Sequence, residues 1–460
     1  MRCGVEPARQ TGGESLELIV GDVGQGGWCV AREPGGRVVL VRHTLPGERV
    51  LARLTEETAK FARAEATEIL EASPDRVEPP CPHAHPGGCG GCDWQHASLP
   101  AQRRLKAAVI AQQLRRIAGL DREVTVEPLP GDSDGLGWRT RVRFAVRADG
   151  LAGLRRHRSH EIIDVGTCPI AHPLVNEAGV TQGRWPGAES VAAVTSPDTR
   201  EAAVVVTPAR RPHRRRPAGR AAGRPGGQGP GGRDPGGRAA VPQTWTAQVE
   251  GPVLVAGEGV GLTALRGGPF LHRTAAGRKW RTSAGVFWQV HPAAADVLAA
   301  LVREVLRPQP GDVALDLYCG AGLFAGVLAT EVGPSGTVIG IESDPAAVRD
   351  ARHNLRDTPW ARIHKGDVAE VLRQSTWLQA SIAVLDPPRA GAGHPVLDEL
   401  LRPDSALRRV AYVSCDPATL ARDIVMFAEA GWELGEVRGL DAFPMTHHVE
   451  CVATLTRVES

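Results

Sequence analysis

The chain reads as a multidomain α/β protein: a small OB-like β-barrel first, a β-rich middle, and a Rossmann-like doubly wound parallel sheet at the end. Three observations carry that reading. At 460 residues the chain exceeds what one hydrophobic core serves, so several domains are expected. Residues 14–71 are short alternating runs broken by Gly and Pro turns, whereas from about 290 onward helical and strand patterns alternate. Between them, residues 208–240 are so rich in Arg, Gly and Pro that they bury no core and are expected to be disordered. The expected units are therefore 14–72, 73–290 and 291–460.

In the first unit Leu16-Glu17-Leu18-Ile19-Val20 alternates, 21–27 turns, and Arg37-Val38-Val39-Leu40-Val41 is a second strand. Pro46-Gly47 then turns into a strand over 48–54, and 60–70 supplies another. Four or five short strands in so little chain suit a barrel.

The middle unit opens with a cysteine cluster at 81–92. Leu99 to Ala118 carries apolar residues at 105, 109, 110, 114 and 117, the spacing of one helix face. From Arg139 to Arg147 the chain alternates strictly with arginine on one face, which suits either an ordinary wet face or phosphate contact. The strand-like runs 202–207 and 244–249 flank the 208–240 insertion, which therefore reads as lying at a hairpin tip. Its nine arginines against one aspartate make it a solvated segment or an RNA-tethering arm. The whole chain carries only +2, so its body is mildly acidic and polyanions would meet it through patches.

In the last unit a helix over 293–306 leads to a strand at 313–317, and a helix over 325–331 to a strand at 337–341. Further strands fall at 382–385, 409–414, 433–438 and 449–456. Asp316 ends the first of these strands and precedes Gly320-Ala321-Gly322, where glycines let a backbone approach a ligand at a strand-to-helix turn. Glu342 ends the next strand, where an acid accepts hydrogen bonds from ribose hydroxyls, and Asp367 follows a third, within reach of an adenine amine. A dinucleotide fingerprint would put its third glycine one position before Gly326, and Asp316 would repel a pyrophosphate. The same acid suits the ammonium of S-adenosylmethionine, which is the expected cofactor.

Nine cysteines, at 3, 29, 81, 89, 92, 168, 319, 415 and 451, are too irregular for a disulfide scaffold and point to free thiols or metal ligands. No apolar run of membrane-spanning length and no signal-peptide core appear, so a cytoplasmic protein with no membrane partner is expected. Cys415, at the end of a strand beside the cofactor loop, is a candidate nucleophile, although alone it reads first as a small buried hydrophobe.

Asp386-Pro387-Pro388-Arg389-Ala390-Gly391, Ser414-Cys415-Asp416-Pro417 and His447-His448-Val449-Glu450, in that order, resemble the RNA uracil-5-methyltransferases, class I S-adenosylmethionine enzymes that make 5-methyluridine. Phe287-Trp288-Gln289-Val290 and Ser159-His160-Glu161-Ile162-Ile163-Asp164 extend the resemblance over nearly the whole chain except the insertion. It implies Cys415 as nucleophile and Glu450 as base, with Gln289, Tyr318, Glu342 and Asp386 at cofactor positions. Leu323 stands where the family often has an asparagine, a departure that bears on one cofactor contact and not on the pocket. The first unit, with Pro46-Gly47-Glu48-Arg49-Val50 and Ser73-Pro74-Asp75-Arg76, resembles a TRAM domain. Cys81, Cys89, Cys92 and Cys168 resemble the ligands of a [4Fe–4S] cluster in the ribosomal-RNA branch, although the Cys-x7-Cys gap is wide and a structural zinc would use the same thiolates. The implied partner is RNA, 23S ribosomal RNA ahead of transfer RNA, and the implied state a monomer. Two rivals stand beside this reading. Exocyclic-amine methylation fits Asp386-Pro387-Pro388 but expects an aromatic where Arg389 sits, and a non-catalytic RNA-binding factor would have no use for Cys415 and Glu450.

Overall fold

The structure is a computed structural model that describes residues 15–209, 243–257, 261–374 and 377–458. The Arg/Gly/Pro stretch expected to be disordered lies, from residue 210 on, outside the described residues.

The first five strands are β1 (Ser15–Ile19), β2 (Cys29–Arg32), β3 (Val38–Arg42), β4 (Arg49–Glu57) and β5 (Phe61–Glu71). They form one sheet in the order β1-β4-β5-β3-β2, a half-barrel around Val39, Val41, Val50, Ala52 and Ala64. Alternate positions point inward, as a one-sided sheet requires. β2 is a strand the sequence reading passed over, because it follows a run of glycines and is only four residues long.

Helix α1 (Leu99–Ala118) starts where Ser98 Oγ accepts the Ala101 N–H (3.4 Å) and stops at Gly119, whose φ of +67° ends the helix in the left-handed region. Its apolar face is shared. Ala101, Leu105 and Val109 complete the half-barrel core, whereas Ile110 and Leu114 belong to the core of the C-terminal sheet. Lys106 lies between these groups, fully buried, with Nζ 2.5 Å from Asp441 Oδ1 and 3.0 Å from the Phe443 carbonyl. Strand β6 (Val126–Pro128) then joins the far edge of the C-terminal sheet, so 99–128 is bonded to that sheet although it precedes the middle strands.

The middle strands are β7 (Arg141–Val146), β8 (Ala152–Arg155), β9 (Ile162–Ile163), β10 (Ala188–Ser196), β11 (Glu201–Pro208), β12 (Val253–Gly257) and β13 (Gly261–Arg266). A short helix α2 (Pro173–Glu177) lies between β9 and β10. The sheet order is β13-β12-β11-β10-β7-β8-β9. Two expectations are corrected here. The 244–249 run is not a strand: Gln243–Ala247 is a 3-10 helix that buries Trp245. Nor does the insertion sit at a hairpin tip, since β11 pairs β12 in parallel (Val204 with Val253) and a parallel pair needs a crossover. A hairpin of β14 (Phe270–Ala275) and β15 (Arg278–Ser283) leads on.

The last unit contains α3 (Ala294–Leu306), β16 (Val313–Leu317), α4 (Leu323–Val332), β17 (Thr337–Glu342), α5 (Pro345–Asn354) and β18 (Ala361–Lys365). It continues through α6 (Val368–Leu372), β19 (Ile382–Leu385), α7 (Gly393–Leu400), β20 (Arg409–Ser414), α8 (Pro417–Glu429), β21 (Trp432–Asp441) and β22 (Glu450–Arg457). The order β18-β17-β16-β19-β20-β22-β21-β6 reverses direction of travel at β16, which opens a crevice at the C-terminal ends of the parallel strands. Every sequence-predicted strand and helix of this unit is present.

Candidate active site

Asp316, Glu342 and Asp386 sit on or just past three adjacent parallel strands, at the mouth of that crevice. Tyr318 turns the chain with φ +67°, its N–H and that of Cys319 both donating to the Ile341 carbonyl at 3.0 Å. Gly320 (φ +53°) donates its N–H to Glu342 Oε2 at 3.0 Å, and a side chain at Gly320 would meet nothing within 4 Å, so open space lies above the turn. Gly322 (φ +93°) caps α4, where no β-carbon is easily accommodated. Val286 packs with Ala321 and Ala347, with Trp288 against them, which brings the segment holding Gln289 onto the loop. Asp367 caps α6, accepting the Glu370 N–H.

The electrostatics of this mouth are unusual. Asp316 is fully buried; Oδ2 accepts the Ala325 N–H at 2.6 Å, but Oδ1 has no partner. Burial pushes its carboxyl up to about 8, with Asp386 and Glu342 adding repulsion. Burial likewise raises Asp386 to about 7. A cationic ligand would relieve both, and an ammonium would supply the partner that Oδ1 lacks. The residues present therefore fit S-adenosylmethionine.

Beside the crevice lies Cys415, the thiol that the sequence offers as a candidate nucleophile. β20 pairs antiparallel with β22, Ser414 against Cys451, so the next positions outward, Cys415 and Glu450, face each other across the end of the ladder. The side chain of Asp416 caps α8 and fixes the turn after the thiol. Glu450 is buried, and desolvation first, then the Asp386 charge, pushes it well above the usual carboxylate range, while Arg389 opposes. Burial and the Glu450 charge push the Cys415 thiol up to about 11, again opposed by Arg389. The loop carrying Asp386 and Arg389 is anchored by the Ala392 N–H, which donates to Tyr412 Oη (3.0 Å) and Asp423 Oδ2 (2.8 Å).

A cleft of about 190 Å³ opens over Cys415, lined by Gln25, Arg389, Asp416, His447 and His448 among others. Gln25, from the turn between β1 and β2, donates to both Asp416 oxygens at 3.1 Å, so the half-barrel supplies one wall. Sequence reasoning missed Gln25, whose only signal was a glycine-flanked turn. Arg389 and His447-His448 stood in the quoted motifs, but nothing in them showed a cation facing both Cys415 and Glu450.

Cys81, Cys89, Cys92 and Cys168 line one separate cavity of about 750 Å³, together with Arg139, Arg143 and Arg155. The glycines between the thiols are demanded by close approach: a β-carbon at Gly88 would lie 2.2 Å from the His83 carbonyl oxygen, and one at Gly90 2.6 Å from His157 Cα. Cys81 is tied by its N–H to Gln95 Oε1 (3.0 Å) and Cys168 by its N–H to Asn176 Oδ1 (3.1 Å). Among the described residues no three Cys, His, Asp or Glu side chains converge on a point where one metal ion could sit. Arg141, one of the arginines on the alternating strand, is not free for phosphate, because it donates to the carbonyls of Val286 (2.9 Å) and Gly285 (3.4 Å).

Fold and crevice together define a class I S-adenosylmethionine-dependent methyltransferase. Three family models match the chain: a methyltransferase domain over 308–405, a tRNA (uracil-5-)-methyltransferase over 370–458 and a TRAM domain over 9–67. An RNA methyltransferase of Streptomyces avermitilis is 47% identical, the match covering 96% of this chain and 98% of the relative. One of Streptomyces coelicolor is 48% identical over 96% of this chain and 93% of its own length. Among solved structures, the tRNA (uracil-54, C5)-methyltransferase of Pyrococcus abyssi in complex with S-adenosyl-L-homocysteine shares the fold, with TM-score 0.69 and 23% identity over 96% of this chain and all of that one. The chain belongs to the RNA methyltransferases.

Proposed function

We propose that the chain methylates carbon 5 of one specific uridine, in 23S ribosomal RNA ahead of transfer RNA, through a covalent adduct between Cys415 and carbon 6 of the base. The observation that carries this is the register that sets Cys415 opposite Glu450 at the end of the β20–β22 ladder, with Arg389 facing both.

Carbon 5 of uracil is a poor nucleophile. Addition of the Cys415 thiolate to carbon 6 forms the S–C6 bond and moves the C5–C6 π electrons toward O4, leaving carbon 5 nucleophilic. Arg389 favours the thiolate that burial opposes. S-adenosylmethionine supplies, when bound, an electrophilic methyl group on a sulfonium for carbon 5 to take. Glu450 then accepts the carbon 5 proton, the C5–C6 double bond reforms, and the S–C6 bond breaks to return the thiolate. Its raised affinity for protons suits that acceptor role. Asp316, Tyr318, Glu342, Asp386 and Gln289 are the residues that would hold the cofactor.

The target base must leave its stack to reach the cleft. The half-barrel and middle sheet would grip folded RNA by phosphate contacts and shape. Cys81, Cys89, Cys92 and Cys168, which line one cavity, would hold a [4Fe–4S] cluster through four thiolates, a structural zinc on the same thiolates being the alternative. The cluster would staple the middle unit and takes no part in methyl transfer. Together with the TRAM domain it is what favours ribosomal RNA. A monomer acting in the cytoplasm completes the reading; no helix among the described residues is long and apolar enough to cross a membrane.

The test is incubation with 5-fluorouridine-substituted 23S or transfer RNA and labelled cofactor. A fluorine at carbon 5 cannot leave as a proton, so a stable protein–RNA adduct is expected, absent in Cys415→Ala. No adduct with either RNA would overturn the proposal, and whichever RNA traps the enzyme names the substrate.

A further inference from the structure

We infer that Asp93 is a positioning residue for this reaction, holding the 443–449 loop that carries His447 and His448 and leads into Glu450; this rests on the reading of Glu450 as the proton acceptor. The Asp93 side chain, 9% exposed, sits where three parts of the chain meet. Its Oδ2 accepts from His447, from Nδ1 at 2.6 Å and from the main-chain N–H at 3.3 Å. Oδ1 accepts from Arg42 of the half-barrel at 3.3 Å. The N–H groups of Asp93 and Trp94 both donate to the Met445 carbonyl, at 3.0 and 3.1 Å, while Gln102 Oε1 accepts the Met445 N–H at 2.7 Å.

Those bonds hold Met445 at φ +67°, a left-handed conformation that a non-glycine residue keeps only when its surroundings enforce it. Gly27 of the half-barrel closes over the same spot: a β-carbon there would lie 3.0 Å from His447 Cβ and 3.1 Å from Asp93 Cβ. From Asp93 the contacts run on to the chemistry. The His447 and His448 rings are 4.1 Å apart, and His448 Nε2 lies 3.3 Å from Arg389 Nη2, the cation that faces Cys415 and Glu450. Asp93 follows Cys92 directly, so the turn that completes the thiol cavity also sets the loop before Glu450.

The experiment compares Asp93→Ala, Asp93→Asn and His447→Ala with wild type in the full chain, on the RNA that the wild type methylates. Asp93→Ala should lower kcat for 5-methyluridine about tenfold to a hundredfold, the cost of misplacing a group by about an ångström, with KM for S-adenosylmethionine unchanged. On ordinary uridine it should also accumulate a covalent protein–RNA species on denaturing gels, because the S–C6 bond persists while the carbon 5 proton stays in place. Asp93→Asn should recover part of the rate, its amide oxygen still accepting from His447. His447→Ala removes the other partner at a less buried position and should reproduce the trapped adduct even if Asp93→Ala folds poorly. Turnover like wild type in both alanine variants, or slow turnover with no trapped adduct, overturns the inference while leaving the reaction intact. A wild type that makes no 5-methyluridine on any RNA overturns the reaction as well.

Discussion

The ionisation of Cys415 is the sharpest quantity the site offers. Burial and Glu450 move the thiol from an ordinary 9.0 to about 11. At neutral pH that lowers its thiolate fraction about a hundredfold, while the more basic sulfur is roughly six- to tenfold more nucleophilic, so alkylation should run roughly tenfold slower than at an ordinary thiol. Access to the cleft changes the level of the rate but not its pH profile, so the profile carries the test. In the cofactor-free protein, iodoacetamide labelling of the Cys415 peptide, followed by mass spectrometry, should rise about tenfold per pH unit up to about pH 10. The signs of the neighbours follow from charge. Glu450→Gln removes a negative charge and should bring the inflection down; Arg389→Ala removes a positive one and should push it up. An inflection below about pH 9 in the wild type, or no response to either substitution, would refute the electrostatic account.

Three further outcomes are expected. Asp316 titrates in the folded protein at about 8 against an ordinary 3.8, so its contribution to stability is full below the lower value and is lost as pH rises toward the higher. Asp316→Asn should therefore melt progressively above wild type between pH 5 and pH 8, by about 1.4 kcal/mol per unit at most, while losing affinity for S-adenosylmethionine; parallel melting curves would count against it. Lys106→Met strands the buried Asp441 carboxylate and should cost about 3–5 kcal/mol in urea unfolding, most of it recovered when Asp441→Leu is added, and a single-variant loss below about 1 kcal/mol would contradict the pairing. Protein purified without oxygen should absorb broadly near roughly 400 nm and lose iron in Cys92→Ser, whereas stoichiometric zinc without iron would exclude the cluster.

What the sequence made legible follows from where the information sits. Val313–Leu317, Ile382–Leu385 and Arg409–Ser414 are near-continuous apolar runs between helical patterns, so the parallel sheet announced itself locally. The candidate pair Cys415 and Glu450 was legible only through the motifs, because the register that opposes Ser414 to Cys451 depends on a pairing across the whole of α8 and β21. Thr244 to Val249 looked like a strand, but burying Trp245 under the middle sheet outweighed local β-propensity. The places of Gln25 and Asp93 beside the cleft were not legible. Each acts through a partner more than three hundred residues away, and no local spacing encodes such a contact.

The edge strand β6 bears on how the molecule is made. It hydrogen-bonds to β21, and Glu127 pairs with Arg438 across 311 residues of chain, so the sheet's outermost strand is synthesised early and its neighbour almost last. The half-barrel and α1 emerge first and wait with one apolar face uncovered until α8 and β21 arrive to cover it. The same C-terminal segment seats the Met445 loop against Asp93 and Trp94. Residues 291–460 produced alone would keep every parallel strand yet present β21 as an open edge beside a bare helix face. Such a fragment should aggregate where the whole chain does not.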